Sequence, residues 1–372
     1  MGGPESGTGI DAEIGTVLEL EIERVAHGGH CVARVEETDG RKRVVFVRHA
    51  LPGELVRAVI TEVEKSFLRA DAIDILNPSP DRVEPPCLLA HPDGCGGCDF
   101  QHATLPAQRG LKESVIAEQF SRLAGMDVDV TVEEVQPTLR WRTRMQYVQL
   151  PGGRRGLRKH RSHAIIEVDD CLIAAPDARD AAPSDRTPVS ETVLGHSFQV
   201  AGDGFWQVHP EAPRLLVETV MSMLTPQPGE RALDLYAGVG LFSSFLAEAV
   251  GASGHVTAVE GNRAASRWAA ENLKPFDHAT VRCAPVERSI DGMLADIVVL
   301  DPPRAGAKRK VVEAIAALRP RAVAYVACDP AALARDVSYF AEAGYATTQL
   351  RAFDLFPMTH HVECVALLAP TR

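Results

Sequence analysis

From Gly229 to the C-terminus the chain alternates between strand and helix patterns, and this alternation constrains the fold more than any other feature. Short apolar runs at Ala232–Tyr236, Val256–Glu260, Thr280–Cys283, Asp296–Asp301, Ala322–Ala327, Thr347–Asp354 and Val362–Leu368 read as seven strands. Helical patterns such as Asn262–Lys274 and Pro330–Ala343 fill the gaps. A chain that repeats strand, helix, strand can bury both faces of its sheet only as a mostly parallel, doubly wound α/β fold. The connection between the last two strands is too short for a parallel crossover, so they are expected to pair as an antiparallel hairpin.

Upstream the pattern changes. Leu18, Leu20 and Ile22 alternate with Glu19, Glu21 and Glu23, the period of a half-buried strand. Further runs at His30–Val35, Val44–Val47, Leu55–Val63 and Phe67–Ile75 are punctuated by Gly28-Gly29, Asp39-Gly40 and Pro52-Gly53. Five such strands predict a small OB-type β-barrel. Asn77-Pro78-Ser79-Pro80 and then Pro85-Pro86 break the chain. The stretch from Ala174 to Thr192 is rich in Ala, Asp, Pro and Ser and reads as a linker or mobile loop. The expected organisation is a loose tail over 1–12, a barrel over 13–76, a central region over 77–198 and the α/β domain over 199–372. No apolar run approaches the ~18 residues of a membrane span. Met1–Ile10 lacks the basic start and apolar centre of a signal peptide. A cytoplasmic monomer is expected, whose eight cysteines are thiols, ligands or nucleophiles and not a disulfide framework.

Net charge is −11, which excludes a protein that is basic all over. The charge is uneven. Between Leu139 and His163 lie Arg140, Arg142, Arg144, Arg154, Arg155, Arg158, Lys159 and Arg161 with no acidic residue. Removing those eight from 39 Lys and Arg leaves 31 against all 50 Asp and Glu. Trp141 and Tyr147 are interleaved with the arginines. Guanidinium forks suit phosphate and aromatic faces suit unstacked bases, so this window points to an anionic partner. The plainer alternative is a solvated basic hairpin around Pro151-Gly152-Gly153.

Several motifs fall at the carboxyl ends of the predicted strands, where open α/β sheets bind ligands. The first strand ends in Asp234-Leu235-Tyr236-Ala237-Gly238-Val239-Gly240, with glycines that let a ligand approach the backbone. The second ends in Glu260, placed to hold two ribose hydroxyls. Ser243 stands where a dinucleotide fingerprint has its third glycine, which favours S-adenosylmethionine (SAM) over a dinucleotide. The fourth ends in Asp301-Pro302-Pro303-Arg304 and the fifth in Cys328-Asp329-Pro330, just before a helix. A helix N-terminus is expected to lower the Cys328 pKa. The final hairpin carries Phe356-Pro357-Met358-Thr359-His360-His361-Val362-Glu363. Cys95-x2-Cys98 is a chelating pair that Cys87 and Cys171 complete to four thiols. Four thiolates suit zinc or an iron–sulfur cube equally.

In this order the motifs resemble the bacterial RNA uracil-5-methyltransferases, over nearly the whole chain from about Glu13. The resemblance implies a Rossmann-like SAM methyltransferase domain, an N-terminal TRAM domain and a small central iron–sulfur domain. It implies methylation of uridine C5 in ribosomal or transfer RNA, with SAM as methyl donor. It makes Cys328 the nucleophile that attacks uracil C6 and Glu363 the base that removes the C5 proton. Phe205-Trp206-Gln207-Val208-His209 resembles the family's Phe-x-Gln-Val-Asn, which gives Phe205 a stacking role and Gln207 a contact to cofactor or uracil. The family's Asn is His209 here. By the same resemblance Tyr236, Gly238, Gly240, Glu260 and Asp301 line the cofactor, and Arg140, Arg142, Arg144, Arg154, Arg155 and Arg158 grip RNA. It also favours a [4Fe–4S] cluster on Cys87, Cys95, Cys98 and Cys171, with zinc the alternative. Cys31, Cys283 and Cys364 are expected to be packing residues. The competing readings are a methyltransferase acting on an exocyclic amine, a non-catalytic RNA-binding protein of the same fold, and an iron–sulfur redox protein.

Overall fold

A computed structural model describes residues 13–38, 40–180 and 187–371. The expected tail over 1–12, Asp39 of the Asp39-Gly40 turn and the middle of the expected linker lie outside the described residues. The chain divides into two compact units. One is drawn from Met1–Val115, Tyr147–Leu172 and Pro357–His360, the other from Ile116–Gln146, Ile173–Phe356 and His361–Arg372. The residues between 77 and 198 are therefore shared between the units.

The first unit begins with six strands rather than five: Val17–Glu21, Arg24–Ala26, His30–Glu36, Lys42–Arg48, Leu55–Val63 and Phe67–Asn77. The extra strand is the three-residue Arg24–Ala26, which pairs with His30–Val32 across the Gly28-Gly29 turn. Along the sheet the first strand pairs with the fifth, the fifth with the sixth, the sixth with the fourth, then the third and the second. Alternation does the work here: Leu18, Leu20, Val45, Val47, Val56, Ala58, Ile60 and Leu68 face one core. In the same unit the second half of the basic window folds into a small antiparallel sheet of Val148–Gln149, Arg155–Arg158 and Ile165–Glu167, turning at Pro151–Gly153, whereas Arg140, Arg142 and Arg144 belong to the second unit.

The second unit is built on an eight-stranded sheet, not seven. Its order is Ala279–Cys283, His255–Glu260, Arg231–Leu235, Ile297–Leu300, Ala322–Ala327, Glu363–Pro370, Tyr345–Asp354 and Val132–Glu134. The last two strands in sequence pair antiparallel, as expected. The added strand, Val132–Glu134, runs parallel to Ala352–Asp354. Glu133 braces it with a two-pronged ion pair to Arg351, both contacts at 2.8 Å. Alternate residues of the central strands feed two cores. Leu233, Leu235, Val298, Leu300 and Val323 pack with the helices Lys308–Ala317 and Pro330–Glu342 on one face. Ala232, Val256, Ile297, Val299 and Ala324 pack with Ala212–Leu224 and Leu241–Val250 on the other.

The expected linker from Ala174 to Thr192 is largely strand. Ala174–Asp180 pairs parallel with Arg142–Met145, and Pro188–Val193 forms a hairpin with His196–Ala201. These strands are mostly half-exposed, so pairing partners and not an apolar face hold them in place. Among the described residues no helix is long and apolar enough to cross a membrane.

Candidate active site

A cavity of about 1490 Å³ opens in the second unit at the carboxyl ends of the sheet strands. Its lining brings together Phe205, Gln207, Tyr236, Gly238, Glu260, Asp301, Cys328 and Glu363, residues spread over 159 positions of sequence from 205 to 363. Arg142 and Arg144 also reach it.

The glycine turn after Arg231–Leu235 works through the backbone. Tyr236 and Gly238 both take positive φ, 61° and 57°. The Gly238 N–H is thereby aimed at Glu260 Oε2, 2.9 Å away, and the Asn262 N–H donates to Oε1 at 2.6 Å. The Glu260 carboxylate is thus fixed at the tip of its strand, in the cavity lining. Gly240 does not line the cavity. At φ 89° it caps helix Leu241–Val250, and a Cβ there would meet Leu273. Ser243, at the missing glycine position, donates its hydroxyl to the buried Asp234.

The chemical end of the cavity holds three acids. Gln207 Nε2 donates to Asp301 Oδ2 at 3.3 Å. Burial pushes Asp301 up to about 7. Burial, with Asp301 as a neighbouring charge, raises Glu363 well above the usual carboxylate range. Cys328 is pushed up to about 12 by burial, with Glu363 and Asp301 adding to it and Arg304 opposing. The expected lowering of this thiol by its helix is therefore reversed. The helix dipole is outweighed by desolvation and two carboxyl groups, and its first turn is already capped by Asp329.

The arginine strand is stitched to the loop that carries Gln207. Thr143 donates through its N–H and Oγ1 to the Val208 carbonyl at 2.9 and 3.1 Å, and Arg144 Nη2 donates to the Asp203 carbonyl at 2.9 Å. Phe205 lines the cavity and is 64% exposed. Trp141 is fully buried, stacked on His209 and edge-on to Phe356, so it has no face to offer a base. His209 lies behind the cavity wall, with Nδ1 accepting from the Glu211 N–H and Nε2 near the Pro137 carbonyl. Arg140 does not line the cavity. Sequence reasoning missed Arg304 and His361, which do, with Arg304 Nη2 and His361 Nε2 3.2 Å apart. Both lie inside motifs already singled out, which was the available signal.

In the first unit, Arg154, Arg155 and Arg158 are exposed or lie along the exposed hairpin. Arg154 pairs with Glu167 at 2.7 Å, and Arg155 lies 4.4 Å from the Tyr147 ring centroid. Lys159 and Arg161 pair with Asp93 and Glu62. The four cysteines gather in the same unit. Burial raises Cys95, with Cys171 and Cys87 adding to it, and pushes Cys98 up to about 12, with Cys171 and Cys95 contributing. Gln101 and the Gly97 backbone oppose the rise at Cys98 and Cys95. Among the described residues no three or more His, Cys, Asp or Glu stand close enough to hold a single ion. Of the remaining cysteines, Cys31 and Cys364 are buried, whereas Cys283 is exposed and is not a packing residue.

Residues 11–73 match the TRAM domain and residues 195–371 the tRNA (uracil-5-)-methyltransferase family. An uncharacterized RNA methyltransferase of Streptomyces avermitilis is 44% identical, over 96% of this chain and 99% of that protein. The 23S rRNA (uracil(1939)-C(5))-methyltransferase RlmD of Vibrio parahaemolyticus is 30% identical, over 94% of this chain and 95% of that protein. Among solved structures, the Pyrococcus abyssi tRNA (uracil-54, C5)-methyltransferase, in complex with S-adenosyl-L-homocysteine, shares the fold. Its TM-score is 0.70 at 20% identity, covering 95% of this chain and all of that one.

Proposed function

The chain belongs to the RNA (uracil-5-)-methyltransferase family, and on that premise we propose how its residues divide the work of making 5-methyluridine from SAM and RNA. The observation that carries the reading is the convergence of Cys328, Glu363, Asp301 and Gln207 on one cavity that also holds Glu260 and the glycine turn.

C5 of uracil is too weak a nucleophile to take a methyl group from a sulfonium unaided. Cys328 bonds to C6, and the ring's electrons shift to an enolate with carbanion character at C5. C5 then takes the methyl group with its carbanion electron pair, and the methyl–sulfonium bond breaks so that S-adenosyl-L-homocysteine leaves with the electrons of that bond. Glu363 removes the C5 proton, the electron pair reforms the C5–C6 double bond, and the sulfur leaves. Gln207 and Asp301, already hydrogen-bonded to each other, meet the uracil edge. Glu260 holds the ribose of SAM. A sulfonium cation bound in this cavity would favour the ionised form of Cys328, Glu363 and Asp301, the Cys328 proton passing to solvent before attack on C6. Phe205 stacks on the extruded base, and Arg142 and Arg144 hold the phosphates beside it.

A [4Fe–4S] cluster is what the four-cysteine pattern points to, since its thiolates stand farther apart than the ligands of a single ion, a set that the described residues do not form. Cys171 adds to the raised pKa of both Cys95 and Cys98, and Cys87 to that of Cys95, which puts the four thiols in one neighbourhood. Such a cluster would supply a structural crosslink on Cys87, Cys95, Cys98 and Cys171. Ribosomal RNA is the favoured substrate, since the Vibrio relative that matches nearly end to end acts on 23S rRNA. The test is mass mapping of 5-methyluridine in RNA from cells with and without the gene, repeated with Cys328→Ala. One uridine should lose its methyl group in both the deletion and the variant. An unchanged map, or full methylation by Cys328→Ala, refutes the reading.

A further inference from the structure

The turn Pro357–His360, just ahead of Glu363, is gripped by the cysteine-bearing segment. The Met358 carbonyl accepts from the Asp99 and Phe100 N–H groups at 2.9 and 3.0 Å. The Met358 N–H donates to Gln108 Oε1 at 2.8 Å. Asp99 Oδ2 accepts from the His360 N–H at 3.0 Å and lies 2.6 Å from His360 Nδ1. Gln108 is fully buried, and its Nε2 is tied back to the Ala103 carbonyl at 3.0 Å. On the barrel side, a Cβ at Gly29 would fall 2.9 Å from His360 Cβ and 3.0 Å from Asp99 Cβ. Met358 holds φ 70°, a left-handed conformation that a non-glycine residue keeps only where its surroundings enforce it.

Nothing in the methylation chemistry calls for this grip, yet its place in the chain does. Glu363 is the first residue of its strand and pairs with Phe353 at the end of the ladder. The end of a ladder frays unless the incoming chain is fixed. His360 is three residues upstream.

We propose that Asp99 and Gln108 are positioning residues: by fixing the Pro357–His360 turn they hold Glu363 in register to take the C5 proton. This gives the segment beside Cys98 a part in the reaction. It rests on the assignment of Glu363 as the base.

The two halves of the reaction should separate when the grip is loosened. Attack by Cys328 and methyl transfer do not need Glu363 as a base, whereas breakdown does. Without proton removal the C5–C6 double bond cannot reform and the C6–S bond persists. Full-length Asp99→Ala and Gln108→Ala, given SAM and an unmodified 23S rRNA transcript, should accumulate a methylated protein–RNA adduct that survives denaturing electrophoresis. Their kcat should fall by about 10- to 100-fold, with SAM affinity unchanged. Asp99→Asn, which keeps a carbonyl acceptor for the His360 N–H, should recover most of the turnover. Glu363→Gln is the reference. If it traps the adduct and neither Asp99→Ala nor Gln108→Ala does, the positioning role is wrong and the base assignment stands. If Glu363→Gln traps no adduct, the assignment fails and the proposal falls with it.

Discussion

In the enzyme without substrates, Cys328 should be nearly inert toward alkylation although it lines an open cavity. Its pKa is pushed from 9.0 to about 12. Well below both values the thiolate population scales with the difference, so it is about a thousandfold (10 to the power 12 − 9) scarcer than for an ordinary thiol. Since the thiolate is the reacting form, the alkylation rate should fall by about the same factor at pH 8. The assay is peptide-resolved mass spectrometry after timed iodoacetamide pulses, with exposed Cys283 as the accessible reference in the same molecule. A rate that keeps climbing past pH 10 distinguishes a proton-limited thiol from a merely shielded one. Asp301 is ionised at pH 9, above its value of about 7. Asp301→Asn should then speed the reaction by about tenfold, recovering part of the loss, because burial is the larger cause. Alkylation of Cys328 as fast as Cys283 at pH 8, or a rate that levels off near pH 9, would refute the reasoning.

Two further predictions concern the supports around the site. Asp336 accepts at one oxygen from Tyr325 Oη, the Ala307 N–H and the Lys308 N–H, at 2.7, 2.7 and 3.1 Å, pinning the end of the Asp301–Lys308 loop. Asp336→Ala leaves these donors short of a buried acceptor and should cost about 3 kcal/mol or more, measured by urea unfolding. In RNA binding, replacing Arg154, Arg155 and Arg158 with Ala should flatten the salt slope by about 2, rather than nearly 3, because Glu167 already pairs with Arg154. An unchanged slope in a salt titration would make the patch a solvated face.

The periodic parts of the fold were legible in the sequence, because burial writes itself into local pattern. Leu18 and Leu20 alternate with glutamates, and Ala322–Ala327 has both faces buried. What was missed depends on partners far along the chain. Val132–Glu134 is a strand because Ala352–Asp354 pairs with it and Arg351 braces it. Ala174–Asp180 looks like a linker because its partners Arg142–Met145 supply hydrogen bonds and no apolar signal. The cavity lining was visible in motifs, but its electrostatics were not. A helix N-terminus is local and argued for a lowered Cys328 pKa, whereas Glu363 and Asp301, which raise it, arrive from other strands. Trp141 read as a base-stacking ring from its neighbours, yet the packing of His209 and Phe356 buries it.

The covalent role of Cys328 is tested most directly with RNA in which the target uridine is replaced by 5-fluorouridine. Fluorine at C5 cannot be removed as a proton, so the reaction should stop after methyl transfer with Cys328 still bonded to C6. Intact-mass and peptide analysis should find a stoichiometric adduct on Cys328 that forms only when SAM is present. No adduct, or one attached to another residue, would contradict the account.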